Sequence, residues 1–524
     1  MIRKYLLIFL LLFVTNAFAQ KADILIRNGK IIDGTGNSWF YGDIAVKKDK
    51  IIAVGNLPHY KAKTILDADK KVVAPGFIDV HTHIEGDELI TPQAESFIYD
   101  GVTSVITGNC GMSNDHIKKY FRFLDSLRLS INVGTFIGHN NVRKAVMGTA
   151  NRKPTPGELQ KMEDLVRKAM QAGAMGFSTG LIYIPGTYSE TEEVIALAKV
   201  AAGYHGVYTS HIRNESDKVF AAIEEAINIG RQTNMPVQIS HFKIGQPNWN
   251  RSSETLALVE KARASGYDVT IDQYPYTASS TTLNALIPSW ALENGLDSIS
   301  ARFKNPAVRE RIKAEMIQDM KRRQRSDFSY AVVANYTANS AYNGKNISEI
   351  NKLLGRPSSI PAEIETILDL VQNGSASMVF HSMHEADVEN IMQYPFTMIA
   401  SDSGIRKFGA GVPHPRGYGS NARVLGYYVR EKKIICLEDA IRRMTSLPAQ
   451  KFNLQNRGLL KPGMKADIVI FDPEQIRDMS TYAQPHAFSQ GMEYVLVNGK
   501  ITVKNAKHTT VRNGEILYGP GKKK

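Results

Sequence analysis

APGFIDVHTH, residues 74–83, is apolar over its first half and ends in two histidines separated by one residue. Side chains two apart on an extended strand share a face, so His81 and His83 point the same way and can meet one cation. Seven further segments repeat this texture: VTSVITGNC (102–110), NVGTFIGHN (132–140), AMGFSTG (174–180), GVYTSHIRNE (206–215), MPVQISHFK (235–243), DVTIDQYPY (268–276) and FTMIASDS (396–403). Between them lie stretches such as GELQKMEDLVRKAMQAG (157–173) and ETEEVIALAKVAAGYHG (190–206), with apolar residues at helical spacing and glycine near the end. Eight strands alternating with helices make the chain an α/β protein, and eight is the number that closes a parallel (β/α)8 barrel.

Outward from the barrel, ADILIRNGKIIDG (22–34) and DIAVKKDKIIAVG (43–55) on one side and KADIVIFDP (465–473) and EYVLVNGKITVKN (493–505) on the other are β-rich. Asn28-Gly29 and Asn498-Gly499 each read as a two-residue hairpin turn. A single hairpin is too little sheet to be stable alone, so both chain ends are expected to build one small β-sandwich domain, residues 20–74 with 451–524, around a barrel at 75–450. The stretch from about 283 to 377, between the seventh and eighth strands, is too long for a loop and reads as a helical insertion over the barrel mouth. Arg302 to Arg325 within it reads as a charged, solvated helix.

The ligand-type residues fall where the strands end. Cys110 ends the second, His211 the fifth, His241 the sixth and Asp402 the eighth, beside His81 and His83 on the first. In a barrel these ends meet on one face, where enzymes of this architecture place their active sites. Six such residues on five strand ends read as a metal site, and imidazole, thiolate and carboxylate together suit zinc better than a hard cation. Cys110 could instead be a small buried apolar residue, or half of a disulfide with Cys436, the one other cysteine of the chain. His139, His381 and His384 are weaker candidates: the first could stand behind a ligand, the others satisfy local hydrogen bonds.

The HTH run, the aspartate ending the eighth strand and the β-domain from both ends resemble the amidohydrolase superfamily. The strings GVTSVITGNCG, GFSTGLIYIPG, ISHFK, DQYPYTASST, HPRGYGSNARVLG and KPGMKADIVIFDP resemble the D-aminoacylase family, the N-acyl-D-amino-acid deacylases, from about Ala22 to about Gly519. That resemblance implies a tight zinc site at Cys110, His211 and His241, a weaker second position at His81, His83 and Asp402, and zinc-dependent hydrolysis of an N-acyl-D-amino acid with Asp402 as general base. It also implies Tyr183, Lys243, Tyr274, Ser280 and Arg416 around the substrate, and a guanidinium fork such as that of Arg416 suits a free carboxylate. VFHSMHEADV (379–388) and the loop SDSGIRKFGAGVPHPRG (401–417) depart from the family pattern at the edge of the expected pocket. Hydrolysis of a cyclic amide (hydantoinase-like) or a dipeptide on the same scaffold is the alternative chemistry, and a binding protein without catalysis is a third reading.

Composition narrows the rest. Across 524 residues, 43% hydrophobic and 22% charged describe a globular protein rather than a disordered one, and two cysteines exclude a disulfide framework. MIRKYLLIFLLLFVTNAFAQ opens with Arg3 and Lys4, an apolar run and Ala17-Phe18-Ala19, which reads as a secretory signal over 1–19 and a periplasmic or secreted protein without stable membrane insertion once the signal is cut. The net charge of +13 comes without any basic motif interleaved with aromatics, so the expected partner is a small molecule and not nucleic acid. Oligomeric state is not legible in the sequence.

Overall fold

The computed structural model describes residues 20–522; the signal expected over 1–19 lies outside them. Eight parallel strands form the barrel: β1 (Phe77–Asp79), β2 (Val102–Thr107), β3 (Asn132–Thr135, resumed at Ile137–Gly138), β4 (Gly176–Gly180), β5 (Val207–His211), β6 (Val237–Ile239), β7 (Val269–Gln273) and β8 (Thr397–Ile399). Each falls within one of the eight segments expected from the sequence. Closure is made past the ends of β8 and β1: Asp402 N donates to His81 O at 2.9 Å, and His83 N to Ser403 O at 2.9 Å. The bonds that close the barrel are thus the bonds that seat three of the ligand-type residues.

Four helices show how local sequence wraps the strands: α1 (Pro156–Ala172), α2 (Thr191–Ala202), α3 (Val219–Thr233) and α4 (Ser252–Ala264). In α1, Thr155 and Glu158 form a reciprocal capping box, Pro156 fills the first position, and Gly173 takes a left-handed φ of 108° at the end. Met162, Val166, Ala169 and Met170 turn inward against the strands.

Both chain ends supply one mixed nine-stranded sheet beside the barrel. Its hub is the strand Lys21–Ile31, which pairs antiparallel with Phe40–Lys47 and parallel with both Lys61–Asp67 and Val72–Pro75. The link between the two ends of the chain is the antiparallel pairing of Val72–Pro75 with Ile468–Phe471. Asn28-Gly29 is not a hairpin turn. Asn28 does adopt φ 55°, but Lys21–Ile31 runs straight through it with a bulge, because Ile26 pairs with Ile44 on one side and Gly29 with Gly42 on the other. Asn498-Gly499 does reverse the chain, joining Met492–Val497 to Lys500–Lys504 with φ 47° and 74°.

The segment between β7 and β8 is not purely helical. Ser279–Thr282, Ser377–Phe380 and Ala331–Asn335 form an antiparallel three-stranded sheet, in that order, packed on helices that include α5 (Leu296–Lys304), α6 (Pro306–Arg322), α7 (Ile347–Leu353) and α8 (Ile360–Gln372). This unit has its own hydrophobic core, centred on residues such as Ile312, Met316, Ile367 and Met378. The basic stretch expected as one solvated helix is broken at Asn305-Pro306, where Asn305 caps α6, and α6 buries Ile312, Met316 and Met320 while its charges pair on the surface. Among the described residues no helix is long and apolar enough to cross a membrane.

Candidate active site

All six ligand-type residues meet at the C-terminal mouth of the barrel. Cys110 Sγ lies 3.3 Å from His81 Nε2 and 3.5 Å from His241 Nε2, and His241 Nε2 lies 2.7 Å from His211 Nδ1. Asp402 Oδ1 stands 3.1 Å from His83 Nε2 and 3.5 Å from His81 Nε2. Cys110 with His211 and His241, His81 with His83 and Cys110, and His81 with His241 and Asp402 each bring their ligand atoms within 4.8 Å of one another. Cys110, His81 and His241 each belong to two of these groups, so the three sets form one continuous cluster. It is reduced and buried, and Cys436, exposed at the start of the helix Leu437–Met444, forms no bridge with it.

Backbone conformation aims these side chains. Cys110 (φ 53°), His241 (φ 36°) and Asp402 (φ 50°) all occupy the left-handed region, unusual for residues other than glycine, immediately after β2, β6 and β8. Holding three such residues costs on the order of 1–3 kcal/mol each, a strain typical of functional sites. Gly180 makes the turn at Cys110 possible, since a Cβ there would sit 2.0 Å from the Cys110 carbonyl oxygen.

A row of carboxylates behind the imidazoles was not anticipated. Asp272 Oδ1 lies 3.2 Å from His81 Nδ1 and accepts from His241 N at 2.8 Å, while its other oxygen accepts from Gln238. Glu215 Oε1 stands 3.0 Å from His241 Nδ1 and 3.7 Å from His211 Nε2. Such partners fix which ring nitrogen carries the proton and which faces a cation. Asp272 carried a signal, the one charge inside the strand VTIDQ, which burial obliges to be paired. Glu215 stood in the open in GVYTSHIRNE and had no periodicity to mark it.

Burial opposes the ionised form of Cys110, but the neighbouring His81 and His241, with the contact to His211, outweigh it and hold the thiol well below its ordinary value. Burial likewise works against the Asp402 carboxylate, and Arg416, His81 and His83 hold it well below the usual range. A buried thiolate with the imidazole nitrogens His81 Nε2, His241 Nε2 and His211 Nδ1 gathered around it makes a donor set that fits a borderline divalent cation such as zinc.

The expected substrate residues line a cavity of about 540 Å³ over this cluster. Arg416 opens the helix α9 (Arg416–Arg423); its Nη1 lies 2.7 Å from Asp402 Oδ2, its Nη2 donates to Ser280 O at 3.3 Å, and its Nε has no partner. Tyr274 stacks beneath its guanidinium at 4.5 Å. His414 positions the arginine: Nδ1 accepts from Arg416 N at 3.0 Å and Nε2 meets Ala278 O at 2.9 Å, and burial with the charge of Arg416 keeps the ring neutral. Ser280 reaches the arginine through its carbonyl, from the insertion sheet. Tyr183 packs its ring on His211 at 4.8 Å, and its hydroxyl accepts from Thr281 at 3.0 Å. Lys243 is less free than expected, since its ammonium donates to Glu215 at 2.7 Å and to His241 O at 2.9 Å and abuts His241 Nδ1 at 2.8 Å.

Of the weaker histidines, His139 is buried against Glu193 at 2.9 Å with Arg143 on the same carboxylate, and it belongs to none of the three groups above. His381 packs on Tyr482 and His384 on Trp249.

A (β/α)8 barrel with a β-domain from both ends and histidines, a cysteine and an aspartate at its mouth defines a class, and the chain belongs to it: the Amidohydrolase family matches residues 64–503. Within that class it is similar to the N-acyl-D-glutamate deacylase of Alcaligenes xylosoxydans xylosoxydans, 35% identical over 521 residues that cover 95% of this chain and 97% of the relative. The D-aminoacylase of the same organism is 33% identical over 528 residues, covering 96% and 99%. Among solved structures, the N-acyl-D-glutamate deacylase of Bordetella bronchiseptica, complexed with zinc and a phosphonate that mimics the tetrahedral intermediate, matches with a TM-score of 0.81 and 35% identity over 95% of this chain and 100% of that one.

Proposed function

We propose that the protein hydrolyses the amide bond of N-acyl-D-amino acids, giving a carboxylate and a free D-amino acid. The observation that carries this reading is the Arg416 guanidinium, buried on Tyr274 beside Asp402 with Nε unpartnered. It is a fork for a free carboxylate placed next to the reacting groups, which an open-chain acyl amino acid presents and a cyclic amide lacks.

Cys110, His211 and His241 would hold a zinc ion tightly, with His81, His83 and Asp402 forming a second, weaker position. When bound, zinc polarises the scissile carbonyl and makes hydroxide available near neutral pH. Asp402 is the general base: it takes the proton of the attacking water and returns it to the leaving nitrogen. Arg416 neutralises Asp402 in the absence of substrate. A substrate carboxylate that shares the guanidinium competes for that charge and leaves the Asp402 oxygen readier to accept a proton. Tyr183 and Ser280 wall the substrate cavity, and Tyr274 carries Arg416. Lys243 acts by holding Glu215 behind His241 as well as by lining the cavity. The sequence of residues 1–19 supports a periplasmic or secreted location.

The test is hydrolysis of matched N-acetyl-D- and N-acetyl-L-amino acids, with Asp402→Asn as control. D-selective turnover is expected, and the variant should lose roughly 10²–10⁴-fold in kcat, the range for a general base. Equal turnover of both enantiomers overturns the D-specific reading. Bound zinc with no turnover of acyl amino acids, dipeptides or hydantoins would favour a binding protein.

A further inference from the structure

Beside the main cavity lies a second one of about 280 Å³. The two share Ile182, Glu215, Lys243, Ser279 and Thr281 as lining, so a molecule held over the six ligand-type residues can extend from one into the other. The charged side chains along the second cavity are Arg213, Arg323, Arg325 and Lys243, against the carboxylate of Glu215 alone. Three of these four cations are occupied. Arg213 forks onto Glu225, with Nε and Nη2 each 2.9 Å from a carboxylate oxygen; Arg323 Nε lies 2.6 Å from Asp319; and Lys243 is bound to Glu215.

Arg325 differs. Among the described residues no carboxylate forms an ion pair with it; Asp327, two residues on, accepts from Ser329 N and Ser326 Oγ. The guanidinium is half-buried, lies 4.4 Å from the centre of the Tyr330 ring and 5.6 Å from that of Trp249, and makes one long contact, Nη2 to His381 O at 3.4 Å. Trp249 is itself pinned by its indole N–H on Ser382 O at 3.0 Å. Burial works against the charge of Arg325, and an anion would compensate it. A planar fork held against aromatic faces, with most of its donors unspent, is the arrangement that binds a carboxylate.

We propose that the second cavity is a subsite for a carboxylate carried at the far end of the substrate, anchored by Arg325, while Arg416 takes the α-carboxylate. This rests on the deacylase reading above. The distal carboxylate can belong to the amino-acid side chain or to the end of a dicarboxylic acyl group, and the chemistry recognised is the same.

The experiment compares kcat/KM for N-acetyl-D-glutamate, N-glutaryl-D-leucine and N-acetyl-D-leucine in the wild type, Arg325→Gln and Arg325→Lys. The wild type should prefer at least one carboxylate-bearing substrate over N-acetyl-D-leucine, and which of the two it prefers identifies the source. Arg325→Gln should lower that preference by about 10–100-fold, the scale of a lost charge-assisted hydrogen bond, mainly through KM, and Arg325→Lys should restore part of it. A wild type that prefers N-acetyl-D-leucine to both, or a variant that depresses all three alike, overturns the subsite and leaves the deacylase reading standing. Turnover of none of the three overturns both. Should Arg325→Gln fail to fold, the wild-type preference and its change in Arg325→Lys decide.

Discussion

The residues proposed to hold the cation are themselves held, and what stands behind them sets what their substitution does. Asp272 touches no position a substrate could reach; it fixes the Nδ1 side of His81 at 3.2 Å and the backbone of His241 at 2.8 Å. Replacing Asp272 with Asn keeps the shape and removes the charge behind His81. We expect it to weaken cation affinity by roughly 10–100-fold, the usual penalty for losing such a partner, read by chelator competition on the purified protein. Affinity unchanged within about twofold would show that His81 needs no charged partner. The convergence of the six ligand-type residues was legible in the sequence because each ends an apolar strand. Glu215 and the reach of Lys243 toward it were not, because a loop residue's contacts depend on where the loop folds back and leave no spacing to read.

Among elements, α9 carries the heaviest load, since it begins at Arg416 and its far end must be anchored for that arginine to stay over Asp402. Asp100 provides the anchor. Its carboxylate accepts from Asn421 N (2.8 Å), Asn421 Nδ2 (3.0 Å), Ala422 N (3.0 Å) and Ser489 Oγ (2.8 Å). Burial nevertheless pushes its pKa up to about 7. Between roughly pH 4 and pH 7 the folded chain therefore keeps a proton that the unfolded chain has released, so stability from this group falls as pH rises through that window and levels off above it. The total is at most about 4 kcal/mol. Asp100→Asn cannot titrate, so the gap in thermal midpoint between wild type and variant should narrow from pH 5 to pH 8. A gap that is constant or widens would mean the carboxyl is already ionised throughout. The elements hardest to read were of the same kind, defined by partners and not by their own pattern. Ser279–Thr282 is a strand made of Ser-Ser-Thr-Thr, and only its pairing with Ser377–Phe380 makes it one. Asn28-Gly29 and Asn498-Gly499 are chemically identical, yet the first continues and the second reverses, because the strand Phe40–Lys47 pairs on both sides of Asn28.

At the scale of the whole molecule, the barrel was legible because eight apolar runs, five of them with ligand-type ends, leave few other closures, whereas its dependence on the end of the chain was not. β3 pairs with β2 along Asn132–Thr135 but meets the β4 side only from Thr135 onward, where Met175 N donates to Thr135 O at 2.8 Å and Ile137–Gly138 pair with β4. The free edge before that point is filled by residues 514–519. Gly514 N donates to Leu129 O (2.8 Å), Val133 N to Glu515 O (3.0 Å), Leu517 N to Val133 O (2.8 Å) and Gly519 N to Gly173 O (2.8 Å). Glycine is required at both ends of this tail, since a Cβ on Gly514 or Gly519 would lie 2.0 or 2.1 Å from a backbone oxygen of the barrel. Leu517 packs with Phe136, Met175 and Val207 under the strands. Removing everything after residue 512 exposes an edge that burial had hidden and leaves both polar backbone groups of Val133 without these partners. The four backbone hydrogen bonds alone amount to roughly 4 kcal/mol at about 1 kcal/mol each, and the bonds of Asn513 and Glu515 to Asn498, Asn132, Arg457 and Lys465 are lost with them. Leu517 adds about 2 kcal/mol of burial. A truncated chain should therefore unfold at clearly lower denaturant concentration than the full chain. The six ligand-type residues stay on their strand ends, so on the proposed reading the fraction that remains folded should keep its cation affinity. An unchanged unfolding midpoint would show that the barrel closes between β3 and β4 without the tail.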